Sequence, residues 1–322
     1  MRVLIAVDGS KASEAVLQEA LKRAWPASSS FCLITVVDPF FFTKAPLVLE
    51  EARTVARNFL NDAAVPFQTR GWDVTVEVVL GNPRRAICEC AEEWRADLLL
   101  VGSQGLNALA RLALGSTVHS VLRRTRCSIE VVRTPETVGD NVERHKRILV
   151  ATDGSEFSAT ALKSVAESPW PEGTEIRIIS VPEFAAWLGD FPSFPLGQVD
   201  ELNKAALDAA RAAVALGEEI VSHKGWKVTT DIVVPEDGPG KTIIEEARKW
   251  NADLVVVGSH GRRGFDRFAM GSVSESVAMN ARCSVEVVHA RPSQGKRGKE
   301  KEEVGNEGQG SHDGRAVHVS LG

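Results

Sequence analysis

The feature that most constrains this chain is that it repeats itself. The opening Arg2-Val-Leu-Ile-Ala-Val-Asp-Gly-Ser10 returns as Arg147-Ile-Leu-Val-Ala-Thr-Asp-Gly-Ser155, an offset of 145 residues. Ala96-Asp-Leu-Leu-Leu-Val-Gly-Ser103 returns as Ala252-Asp-Leu-Val-Val-Val-Gly-Ser259, and Arg126-Cys-Ser-Ile-Glu-Val-Val132 as Arg282-Cys-Ser-Val-Glu-Val-Val288, both at an offset of 156. The change of offset puts a net insertion of 11 residues in the middle of the second copy. Solenoid units run ~20 to 50 residues, so a period this long marks duplicated domains. With 322 residues in all, each copy has the length to bury a core of its own.

Within the first copy, apolar runs alternate with helical patterns. Residues 2–8 read as a buried strand and 12–25 as a helix entered through Ser10 or Ser13. A second apolar run at 31–38 precedes an amphipathic stretch at 46–65. At 72–80, Trp72, Val74, Val76 and Val78 alternate with Asp73, Thr75 and Glu77, which predicts a strand with one wet face at a sheet edge. A helix at 84–95, the run Leu98 to Val101, a helix at 116–125 and a strand at 127–133 complete the copy. Strands separated by helices require right-handed crossovers and a mainly parallel sheet covered on both sides. The predicted fold is α/β: two tandem doubly wound, Rossmann-like domains of five strands each, at 1–134 and 147–290. Residues 135–146 read as a polar linker, 185–196 as an inserted loop, and 291–322 as a disordered tail.

An open parallel sheet binds its ligand beyond the carboxyl ends of the strands, where strand order reverses. The residues to inspect therefore follow the first, second and fourth strands. After the fourth come Gly102-Ser-Gln104-Gly105, nine residues, then Gly115-Ser116; the second copy has Gly258-Ser-His260-Gly261, nine residues, then Gly271-Ser272. Glycines let main-chain amides turn toward an anion, and a helix N-terminus attracts phosphate. Ordinary loop glycines and caps would account for one such loop; the same spacing twice, each time after an apolar strand, favours phosphate binding. Asp8 and Asp153 end the first strand of each copy. A carboxylate accepts hydrogen bonds and repels phosphate, so these belong at a base amine or ribose, or else cap the next helix.

These motifs resemble those of the universal stress protein family, and the likeness covers both copies almost end to end. The Gly-x2-Gly-x9-Gly-Ser/Thr loop of its ATP-binding branch matches Gly102, Gly105, Gly115 and Ser116, and again Gly258, Gly261, Gly271 and Ser272. The family's Val-Ala-x-Asp-Gly-Ser opening matches Ile5 to Ser10 and Val150 to Ser155, which brings in Ala6 and Ala151. The resemblance implies that Asp8 and Asp153 hold the adenosine end, that the backbone of Val36 and Val181 reads adenine, and that the amides of Thr117 and Val273 help hold phosphate. It implies ATP, ADP or AMP as ligand, with Mg²⁺ held through the phosphates rather than by a protein cage. It also implies pairing of 127–133 with 283–289, a pseudo-dimer inside one chain, with a homodimer and an unidentified regulatory protein as further partners.

The totals narrow the alternatives. A net charge of −5 with no basic run before the tail argues against nucleic acid. No stretch approaches the ~18 to 20 apolar residues of a membrane span, so a cytoplasmic location is expected. Five scattered cysteines make no disulfide framework. Gly238-Pro-Gly-Lys241-Thr242 imitates a phosphate loop, but Pro235 stands where its first glycine belongs, and Lys241 reads as a surface residue. The second loop carries Arg262 and Arg263 where the first has Leu106 and Asn107, while Arg111 and Arg267 match; tighter triphosphate binding at the second site is expected. The function predicted is an adenine-nucleotide-binding stress-response regulator in which occupancy acts as a conformational or partner switch. Two alternatives stand beside it: a slow ATP-hydrolysing enzyme, with His260 the titratable candidate, and a nucleotide-free adaptor.

Overall fold

A computed structural model describes residues 1–105, 114–133, 147–184, 196–222, 225–235, 237–262 and 270–290. The expected linker, nearly all of the 185–196 loop and the expected tail lie outside these residues. The first half runs β1 (Arg2–Ala6), α1 (Lys11–Lys22), β2 (Ser30–Val37), a 3-10 turn at Pro39–Phe42, α2 (Pro46–Thr69), β3 (Asp73–Leu80), α3 (Pro83–Glu93), β4 (Leu98–Gly102), α4 (Ser116–Arg124) and β5 (Ser128–Val132). The second runs β6 (Arg147–Ala151), α5 (Glu156–Glu167), β7 (Glu175–Ser180), α6 (Leu196–Val221), β8 (Lys227–Ile232), α7 (Pro239–Lys249), β9 (Leu254–Gly258), α8 (Ser272–Asn280) and β10 (Ser284–Val288).

The strands form one sheet in the order β3-β2-β1-β4-β5-β10-β9-β6-β7-β8. Each half contributes five parallel strands, and β5 meets β10 antiparallel, with Glu130 opposite Glu286. Left alone, β5 and β10 would each present a row of bare N–H and C=O groups; paired, they leave β3 and β8 as the edges among the described residues. β3 shows the alternating burial expected of an edge strand, whereas β10 is buried throughout.

Helix starts follow local chemistry. Ser10 and Ser155 cap α1 and α5, each side chain accepting from the amide three residues on at 3.2 Å. α2 runs past Pro66, where the sequence predicted its end, because the last turn carries Phe67 into an aromatic cluster. Its ring lies 5.2 Å from Phe31, and Phe31 lies 4.9 Å from Trp72. Packing these three rings together, two of them fully buried, outweighs a proline inside the helix.

The two faces of the sheet differ at the junction. On the face covered by α3, α4, α7 and α8, one apolar core runs unbroken from Leu99, Val101 and Ile129 to Val255, Val257 and Val285. On the opposite face there are two cores, one under α1 and α2 and one under α5 and α6. Between them lies a buried ionic cluster. Arg23 reaches Glu130 at 2.8 Å and Glu286 at 3.4 Å, with its guanidinium 4.8 Å from the Trp25 ring and 4.7 Å from the Trp170 ring. The second copy has Ser168 at the place of Arg23, so one cation serves the carboxylates of both halves.

Candidate functional site

In each half the strand order reverses beside the first strand: β1 lies between β2 and β4, and β6 between β7 and β9. The following loops leave in opposite directions and open a crevice at the carboxyl ends. In the second half this crevice is a cavity of about 630 Å³, within the usual range for small-molecule sites. Its wall contains all nine second-copy residues singled out from the sequence: Ala151, Asp153, Val181, Gly258, His260, Gly261, Gly271, Ser272 and Val273.

Asp153 is fixed from two sides. Its carboxylate accepts from the Ser155 amide at 3.0 Å and the Arg262 amide at 2.9 Å. Burial pushes its pKa up, but hydrogen bonds from Ser155, Ser158 and the Arg262 amide more than offset this and hold it below the usual carboxylate range. Gly154 follows at φ +78°, a left-handed conformation suited to glycine. Gly261 lies against the same carboxylate, where an added Cβ would sit 2.8 Å from Asp153 Oδ2. Gly258 has a different reason: its Cβ would stand 2.7 Å from the Phe157 carbonyl carbon, so it lets α5 cross the end of β9.

The loop is closed by the Gly271 amide donating to the Ser259 carbonyl at 2.8 Å. Gly271 then caps α8 in an extended conformation with no side-chain hydrogen bond. The amides of Ser272, Val273 and Ser274 are thereby the uncapped first turn of the helix. Ser274 Oγ donates to the Gly258 carbonyl at 2.6 Å and pins that turn to β9; the sequence pattern did not single out this residue.

Strand alternation settles where the backbone of Val181 points. The Ile179 carbonyl accepts from Thr152 on the β6 side and the Ser180 carbonyl accepts from Val233 on the β8 side. Val181, next in the alternation, turns toward the space beyond the end of β6. Val36 follows the same rule in the first copy, since Ile34 serves Val7 and Val37 serves Gly81.

The first half repeats the scaffold with other surroundings. Asp8, at the end of β1 beyond Ala6, accepts from the Ser10 amide at 3.1 Å and the Ser13 hydroxyl at 2.7 Å. An added Cβ on Gly105 would lie 2.6 Å from Asp8 Oδ2, and one on Gly102 2.8 Å from Ala12 Cβ. Gln104 is half-buried between these glycines. The Gly115 amide donates to Ser103 at 2.9 Å, and Gly115 caps α4, leaving Ser116 and Thr117 in its first turn. Arg84, at the start of α3, donates to Ser116 Oγ at 3.0 Å. No sequence motif singles out Arg84, which stands where the second copy has Gly240.

Several expectations change. The Arg262 guanidinium, expected at the phosphates, donates through Nε to the Asp153 carbonyl and so binds the strand end. Arg263, Arg267, Arg111, Leu106 and Asn107 lie outside the described residues. His260 is only 7% exposed; its Nδ1 is 3.1 Å from Ser259 Oγ and its ring 4.9 Å from that of Phe157. Burial pushes the neighbouring His289 down to about 4, with the nearby His260 adding to the effect. Lys241 pairs with Asp237 at 3.1 Å on the surface. Among the described residues no three His, Cys, Asp or Glu converge as a metal site, and no helix is long and apolar enough to cross a membrane.

Comparison with known proteins agrees with this architecture. The model of the Universal stress protein family matches residues 1–133 and 144–289, and the chain belongs to that family. A universal stress protein of Mycolicibacterium smegmatis is 29% identical over 310 residues, covering 90% of this chain and 97% of the relative. One from Mycobacterium tuberculosis is 28% identical with the same coverage. The crystal structure of a universal stress protein from Archaeoglobus fulgidus superposes with a TM-score of 0.61 at 22% identity, covering 89% of this chain and 96% of that one, and shares its fold.

Proposed function

We propose that the chain binds adenine nucleotides at both switch points, and that occupancy acts as a conformational or partner switch in a stress response. The observation carrying this reading is the cavity of about 630 Å³ that gathers, on one wall, an anchored carboxylate, glycines with no room for a side chain, and an uncapped helix N-terminus. Phosphate suits the amides of Ser272 and Val273; ribose hydroxyls suit Asp153, which can only accept; the adenine edge suits the backbone of Val181. In the first half Ser116, Thr117, Asp8 and Val36 take these roles. Mg²⁺ would be held by the phosphates, in keeping with its preference for phosphate and water oxygens.

Calorimetry of the full chain with ATP, ADP or AMP and magnesium tests the reading. Saturable heat is expected, and Gly261→Leu, whose side chain would run into Asp153, removes the second-site component. No heat from any of the three at millimolar concentration overturns it. Hydrolysis has less support, because His260 is packed into the wall against Phe157 and Ser259.

A further inference from the structure

The helices that begin at the two phosphate cradles are sequence equivalents of nine residues each, but their ends are secured differently. α4 carries Arg123 and Arg124 in its own last turn. α8 has no basic residue there. Its C-terminal carbonyls are instead capped from the first half: Arg133, just past β5, donates to Ala278 at 2.7 Å and Met279 at 3.1 Å through Nη2, and to Cys283 at 3.3 Å through Nη1. In the first turn of α8, Glu275 lies 3.0 Å from His119 Nε2 and 3.6 Å from Arg123 Nε, both on α4.

The arrangement is not reciprocal. His119 and Glu275 are themselves equivalent positions, and the equivalent of Arg133 is His289. His289 repeats only the backbone contact, its amide donating to Ser128 Oγ at 3.2 Å as that of Arg133 does to Ser284 Oγ. A helix of nine residues has little stability of its own, and its terminal carbonyls need partners. A guanidinium at the C-terminus and an anchored carboxylate near the N-terminus both complement the helix dipole. Whatever fixes these ends also fixes where the first-turn amides point.

We propose that His119 and Arg133 are positioning residues for the second nucleotide site: the first half holds α8, and so sets how well the second half grips phosphate. The proposal rests on the nucleotide-binding reading above. It makes the second site a property of the tandem chain, while the first site, whose helix carries its own basic last turn, does not depend on Arg133.

The test uses the full chain with one site blocked at a time, by Gly105→Leu or Gly261→Leu, and titrates ATP with magnesium. With the first site blocked, Arg133→Met is expected to weaken ATP binding by about fivefold to tenfold, the scale of a helix-end charge. With the second site blocked it should change binding by less than about twofold, within ordinary surface effects. Arg133→Lys, which keeps the charge but not the forked donors, recovers part of the loss; His119→Gln gives a smaller loss with the same site preference. Equal losses at both sites, or none at the second, overturn the proposal. A readout without nucleotide separates it from the functional reading: amide hydrogen exchange over Glu275–Asn280 should quicken in Arg133→Met while α4 stays as protected as before. If no ATP binds in any background, the nucleotide reading alone fails, and unchanged exchange in α8 then overturns the positioning claim.

Discussion

In the first half the carboxylate ending β1 is exposed, with the Ser10 amide and the Ser13 hydroxyl donating to it; in the second, Asp153 is half-buried and accepts from the Ser155 amide and from the amide of Arg262, whose first-half equivalent Leu106 lies outside the described residues. The glycines pressed against both carboxylates are the same, so the duplicated scaffold is retained while its surroundings have diverged. At the junction the divergence has a direction. Arg23, His119, Arg123 and Arg133 come from the first half, and their equivalents in the second are Ser168, Glu275, Met279 and His289. These basic residue types lie on one side, and many of the groups they meet lie on the other. A pair of second halves would set Glu286 against Glu286 with no Arg23 between them, so the charge pattern disfavours that pairing.

The comparison breaks most readily at Arg23. Replacing it by Met leaves Glu130 and Glu286 buried without their cation, and a loss of about 3 to 5 kcal/mol is expected; urea unfolding measures it, and a loss below about 1 kcal/mol would mean that water or protonation already relieves the cluster. His289, whose mirror in the first half is Arg133, gives the next effect. The folded-state value of His289, about 4 against the usual 6.5, means the unfolded chain binds the extra proton between them. Stability should fall by about 3 kcal/mol as pH drops through that window. His289→Gln should flatten the curve there, whereas Asp153, held below the usual carboxylate range, adds acid sensitivity only at lower pH.

Gly258→Ala and Gly102→Ala sharpen the comparison by testing what the halves share. Each new methyl meets the neighbouring helix at under 3 Å, with the α5 backbone in the second half and Ala12 in the first. Losses of about 1 to 3 kcal/mol are expected from such overpacking; thermal unfolding measures them, and the second half should lose more, because backbone yields less than a methyl. Ser10→Ala and Ser155→Ala should each cost about 1 kcal/mol as lost caps, equally in both halves. Lys241→Ala, at the imitation phosphate loop, should shift stability by less than about 0.5 kcal/mol and leave ATP binding unchanged.

Much of this is legible in the sequence. The alternation at 72–80 marks an edge strand, and the nine second-copy residues, named partly from the glycine spacing and partly from the family resemblance, line one cavity. What escaped were residues whose meaning comes from another element: Arg84 reaching Ser116, Ser274 tied to Gly258, and Arg133 on the carbonyls of α8. α2 runs beyond the amphipathic stretch at 46–65, because the packing of Phe67 on Phe31 and Trp72 carries the helix past Pro66.

The sequence by itself determined the duplication, the alternation of strands and helices, and the glycine spacing of the two loops, because each is a local or periodic property of the chain. The pairing of 127–133 with 283–289 is implied by the family resemblance, but it took the tertiary structure to show that a single arginine bridges the glutamates of both halves and that Arg133 of the first half reaches the end of a helix of the second. Those facts depend on which groups meet across 100 residues or more, and no local pattern encodes a meeting of that kind.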